Sequence, residues 1–85
     1  MSQIEKAINR IKNNPKDYSY EEAKALLEHF GFKEDNKGKT SGSRVKFCRE
    51  IDKRVIMLHK PHPGSIMRHY AVKELKVFLE SLGLI

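Results

Sequence analysis

The sequence predicts a small α+β domain of two layers, a three-stranded antiparallel sheet with helices packed on one face. Three observations lead there. Three segments carry apolar residues at helical spacing, three short stretches between the second and third of them have strand character, and 85 residues suffice for one domain around one modest core. The predicted order is helix, helix, three-strand meander, helix. Residues 1–85 are therefore read as a single domain. So small a chain buries only about 60% of its unfolded surface, and its lone cysteine, Cys48, offers no internal disulfide. Packing must hold it together.

The first helix is expected over residues 2–13, where Ile4, Ala7, Ile8 and Ile11 fall on one face and Asn13, Asn14 and Pro15 stop it. Core packing is the simplest use of that stripe, and a dimer or partner contact is the alternative. The second helix starts at a capping box, Ser19 with Glu22, and lines up Tyr20, Ala23, Leu27 and Phe30 before Gly31 ends it. The third is expected over residues 70–81, with Val72, Leu75, Phe78, Leu79 and Leu82 inward and Gly83 as its stop.

Strand character begins with Phe32–Asp35, directly after the second helix. It continues in Arg44–Arg49, where Val45 and Phe47 alternate with Arg44 and Lys46, and in the apolar run 54–58. Glu50 to Lys53 is a hairpin-like link. With Val45 and Phe47 inward, Arg44 and Lys46 point outward from the uncovered side of the sheet. The Pro61, Pro63, Gly64 stretch reads as a rigid loop into the last helix. Repeats, low-complexity tracts and interdomain linkers are not seen.

The charge is unevenly spread. Lys39, Arg44, Lys46, Arg49, Lys53, Arg54 and Lys60 stand against Glu50 and Asp52 over residues 38–60, whereas residues 19–37 are net acidic. A basic face of this kind is the footprint of a phosphate-backbone binder, although many solvated surfaces are also basic. The beginning of the chain, MSQIEKAINRIKNN, is charged where a signal peptide needs an apolar run, and no stretch approaches the roughly 18 apolar residues of a membrane span. Cytoplasm is the expected compartment, and no membrane partner is expected. His59, His62 and His69 with Cys48 match no familiar zinc spacing, so neither a metal nor another cofactor is expected. Cys48 reads as a small half-buried strand residue.

The run GFKEDNKGKTSGSRVKF, then VIMLHKPHPG, then a final helix ending in FLESLGLI resembles the HicA family of YcfA-like messenger RNA interferases. The resemblance covers about residues 19–85, leaving 1–18 as a helical extension. Its most specific part is the combination of Gly31-Phe32 after a helix, the GS-x-x-x-F strand from Gly42 to Phe47, and His59 closing the next strand. The resemblance implies a fold like the double-stranded-RNA-binding domain. It further implies a metal-independent endoribonuclease acting on mRNA, the toxin of a type II pair neutralised by a HicB-type antitoxin. Typical members carry GSH, with that histidine held responsible for catalysis; here the residues are Gly42, Ser43 and Arg44.

Arginine keeps its proton at physiological pH, so Arg44 can hold phosphate but cannot act as general base. Cutting RNA without metal needs a titratable group to move protons at the 2′-hydroxyl and the leaving 5′-oxygen, beside fixed positive charge. His59 is the candidate acid or base, with Arg44 as its catalytic partner; His62 stands in reserve. Lys39, Ser43, Lys46, Arg54, Lys60 and His62 are the candidate RNA contacts. The competing readings are a non-catalytic RNA-binding module that has lost the usual histidine, and a domain whose basic face meets an acidic protein. A histidine before Lys-Pro also commonly serves only to stabilise a turn.

Overall fold

The computed structural model describes residues 3–35, 44–61 and 64–85. The order is α1 (Gln3–Lys12), α2 (Tyr20–His29), β1 (Phe32–Asp35), β2 (Arg44–Arg49), β3 (Arg54–His59) and α3 (His69–Ser81). The strands form one antiparallel meander, β1-β2-β3. The α-α-β-β-β-α topology with helices on one sheet face, expected from the sequence, is the one observed, and it has the architecture of a double-stranded-RNA-binding domain. Boundaries differ by a residue where α1 ends at Lys12 and α3 begins at His69, while β3 closes on His59, which pairs with Arg44.

Local chemistry explains each helix. In α1 the expected stripe is mainly core, with Ala7 and Ile11 buried and Ile8 packed against them. The capping box of α2 is complete: the Glu22 backbone N–H donates to Ser19 Oγ at 3.0 Å, and the Ser19 N–H donates to Glu22 Oε1 at 3.2 Å. Gly31 ends α2 at φ +92°, a left-handed conformation that glycine adopts without a Cβ penalty. This stop turns the chain straight into Phe32 of β1, which is buried.

One face of the sheet presents Phe32, Phe47 and Leu58 to the helices, where they join Leu26, Leu27, Val72, Leu75 and Leu79 in one core. Tyr18 and Met67, from the segments that lead into α2 and α3, are also fully buried. The Tyr18 hydroxyl donates to the Ala7 carbonyl at 3.0 Å, and burial pushes its pKa well above the ordinary phenol value. These two lead-in segments pair with each other, the Met67 N–H donating to Tyr18 O at 2.8 Å and the Tyr20 N–H to Ser65 O at 2.7 Å. The start of α3 is thereby tied to the start of α2.

The β2–β3 hairpin is clamped by Arg49. Its guanidinium lies 5.2 Å from the Phe32 ring centre, donates to Phe30 O at 3.4 Å and forms a bidentate pair with Asp52, with Nε to Oδ1 at 3.0 Å and a second contact from Nη2 to Oδ2. Lys53 completes the turn at φ +58°. The Arg49 guanidinium holds the Asp52 carboxyl below its usual pKa.

Phe47→Ala removes a fully buried ring and is expected to cost about 3–5 kcal/mol in urea unfolding; a loss under about 1 kcal/mol would contradict the core described. Acid is expected to act on the hairpin. Because the folded pKa of Asp52 is depressed, its contribution is complete above the unfolded carboxylate value near 3.9 and disappears as pH falls through the lower folded value. Hydrogen exchange at β2 and β3 amides should show this acid step in the native chain and lack it in Asp52→Asn.

Candidate nucleic-acid interface

The pairing registers decide which side chains share the uncovered face of the sheet. Arg44 stands opposite His59, Lys46 opposite Met57 and Cys48 opposite Val55. Across the other ladder, Lys33 stands opposite Cys48 and Asp35 opposite Lys46. Since side chains alternate at period two and Phe47 and Leu58 face the helices, these eight residues lie on the open face. Directly opposed residues in such a pair hold their Cβ atoms about 4.5–5.5 Å apart. Arg44 and His59 are both exposed and so form one cross-strand pair at one end of the ladder.

Lys46 comes next along β2. Its Nζ lies 3.9 Å from Asp35 Oδ2, an exposed ion pair that steadies the lysine over the middle of the face at small energetic gain. Beyond it Met57 and Val55 are each 43% exposed, and Cys48 is half-buried beside them, as expected for that residue. The face therefore runs from a cationic end, through a lysine held by a carboxylate, to an apolar end.

Two expected contacts lie elsewhere. Arg54 opens β3 opposite Arg49, so it points to the helix side, with its Nε 3.9 Å from Asp52 Oδ2. It lies five positions from His59 along β3, about 17 Å of extended chain, and it does not join the Arg44–His59 pair. Lys60, just past β3, extends toward the helix layer, its Nζ 6.0 Å from the centre of the Tyr20 ring. That ring donates from its hydroxyl to Glu34 Oε1 at 3.5 Å, and burial is the main cause that pushes its pKa up to about 12. Lys39, Ser43 and His62 lie outside the described residues.

Sequence reasoning missed Lys33, Asp35, Val55 and Met57 as members of this face. The β1 register, which sequence alone does not supply, brings in Lys33 and Asp35. Val55 and Met57 escaped notice because β3 is apolar at four successive positions and shows no alternation. Among the described residues no group of three His, Cys, Asp or Glu side chains is arranged to hold a metal ion, and no helix is long and apolar enough to cross a membrane.

The meander backed by helices has the fold of the double-stranded-RNA-binding domain, and it carries cations on its open face. Residues 20–84 match the family described as the HicA toxin of bacterial toxin-antitoxin, and the chain belongs to that family. The match begins at the first residue of α2, so α1 lies outside it. Comparison with curated proteins and with solved structures returned no match.

The geometry separates Lys46 from Arg54. In RNA-binding titrations Lys46→Ala is expected to weaken affinity and flatten the log–log salt slope by about 0.7, the value for one lost phosphate contact on a single strand. Arg54→Ala should leave the slope within error, and equal losses in both variants would contradict the assignment of faces.

Proposed function

We propose that this chain is the toxin of a type II toxin–antitoxin pair, a cytoplasmic endoribonuclease that cuts messenger RNA and is silenced by a HicB-type antitoxin. The observation that carries the reading is the direct pairing of Arg44 with His59 on the exposed sheet face of a HicA-family chain. Family membership supports the toxin role, and the Arg44–His59 pairing supports the residue roles.

An imidazole and a guanidinium in that relation suit transesterification of RNA. His59 accepts the proton of a ribose 2′-hydroxyl as its oxygen attacks the adjacent phosphorus. The bond to the 5′-oxygen of the next nucleotide breaks, and that oxygen takes a proton from water or from the imidazolium just formed. The products are a 2′,3′-cyclic phosphate and a free 5′-hydroxyl. Negative charge grows on the phosphoryl oxygens during attack, and Arg44, fixed on β2, stabilises it more than it stabilises the starting diester. Lys46 holds the neighbouring phosphate and sets the register of the strand. These groups supply a base, an acid and fixed charge without calling on a metal. Lys39, Ser43 and His62 remain proposed contacts of the same strand, whereas Arg54 and Lys60 would touch only RNA that wraps past the sheet edge.

A second reading has one specific observation in its favour. Where the family resemblance calls for the histidine of GSH, this chain has Arg44, so a domain that binds RNA without cutting it is the alternative.

Purified protein is expected to cut RNA in single-turnover assays, and expression is expected to arrest growth. His59→Ala should slow cleavage by about 10²–10⁴-fold while RNA affinity changes by less than about threefold. Cleavage unchanged in His59→Ala removes His59 from the chemistry. RNA bound but left intact by the native chain selects the binding module instead.

A further inference from the structure

The two edges of the sheet are built differently. β1 is four residues long and carries Lys33, Glu34 and Asp35, the short charged kind of strand with which proteins block edge-to-edge pairing. β3, at the opposite edge, is six residues long and holds Val55, Ile56, Met57 and Leu58 in succession, with no charge or proline between Arg54 and His59. Among the described residues no strand pairs with its outer side. Alternate backbone N–H and C=O groups of β3 therefore point away from β2. They point along a groove of about 330 Å³, whose second wall is the α3 face of Tyr70, Ala71, Glu74, Leu75 and Phe78. Apolar side chains reach solvent along it, with Tyr70 54% exposed in addition to Val55 and Met57.

We propose that this groove receives an extended segment of a partner protein, which joins the sheet as a fourth strand beside β3 and is apolar in its middle and acidic at both ends. Strand addition takes its affinity from main-chain hydrogen bonds and its specificity from the pockets that alternate side chains enter. Here the α3 wall supplies the apolar pockets. Charge at the strand ends selects the occupant: Arg54 marks one end and Lys60 the other.

Two other occupants fit worse. A second copy of β3, antiparallel in the register that pairs all six residues, sets Lys60 against the Lys53 of its twin at both ends of the ladder. Like charges directly opposed destabilise such a pair. RNA has no amide ladder to offer an open edge, and a polyanion gains nothing from apolar walls beside the carboxylate of Glu74. His59 also lines the groove, so a strand seated there lies directly beside it and narrows the approach of RNA. That last consequence, inhibition by occupancy, rests on the endoribonuclease reading; the docking does not.

The test is an NMR titration of the full chain with a synthetic peptide of alternating valine and threonine carrying two glutamates at each end. The amides of β3 and the α3 residues of the groove should shift, with binding at least about tenfold tighter than that of the same peptide flanked by lysines. Tyr70→Glu should weaken the acid-flanked peptide by about tenfold. A carboxylate in the first turn of α3 favours that helix, so this variant should remain folded. A peptide N-methylated at alternate residues should not bind. Silence of β3 at millimolar peptide, equal response to either flank charge, or a free protein that sediments as a dimer with β3 amides protected would each overturn the proposal. No cleavage enters the readout. A chain that cuts no RNA still docks the peptide, whereas a nuclease whose β3 edge stays silent removes this inference alone.

Discussion

The pairing of β2 with β3 is the constraint on which the rest of the molecule depends. Side chains on a strand alternate, so a slip of one residue in that ladder moves every side chain of β3 to the other face. In the observed register Leu58 and Ile56 meet Phe47 and the helices, while His59 meets Arg44 in solvent. A slip would bury His59 and expose Leu58, losing core and site together. Phe47 and Leu58 hold the register from the core side, and Arg49, bound to Asp52 and stacked on Phe32, holds it from the hairpin end.

Much of the architecture was legible because its signals were local. The capping box at Ser19, the glycine after α2 and the stripes of α1 and α3 are written in neighbouring residues, and each lies where it was expected. What was not legible depended on distant pairing. Tyr18 and Met67 lie in connecting segments with no periodicity, yet both are buried because residues 18–20 and 65–67 form a short ladder of their own. Their polar backbone groups find partners more than half the chain's length away, and no reading of neighbours reveals that.

The site divided along the same line. Arg44 and Lys46 alternate with Val45 and Phe47, so their outward direction could be read from β2 alone. Arg54 could not be placed in this way. It belongs to the same basic segment as Arg44, but an odd number of positions separates it from His59, and strand parity puts it on the helix side. Charge counting finds a basic region; only register divides it into faces. The apolar run of β3 misled the reading less by its composition than by its lack of alternation, since a strand between an open face and a helical layer can be apolar on both sides.

Arg44, Lys46 and His59 are proposed to meet the same stretch of RNA from one face of the sheet. An oligoribonucleotide methylated at every 2′-oxygen keeps its phosphates but lacks the attacking hydroxyl, so it can be held without being cut. Titrated into labelled protein, it should shift the His59 ring protons together with the amides of Arg44 and Lys46, and leave Arg54 and α3 where they were. A His59 ring that does not move while the hairpin tip or the helix layer responds would contradict the account.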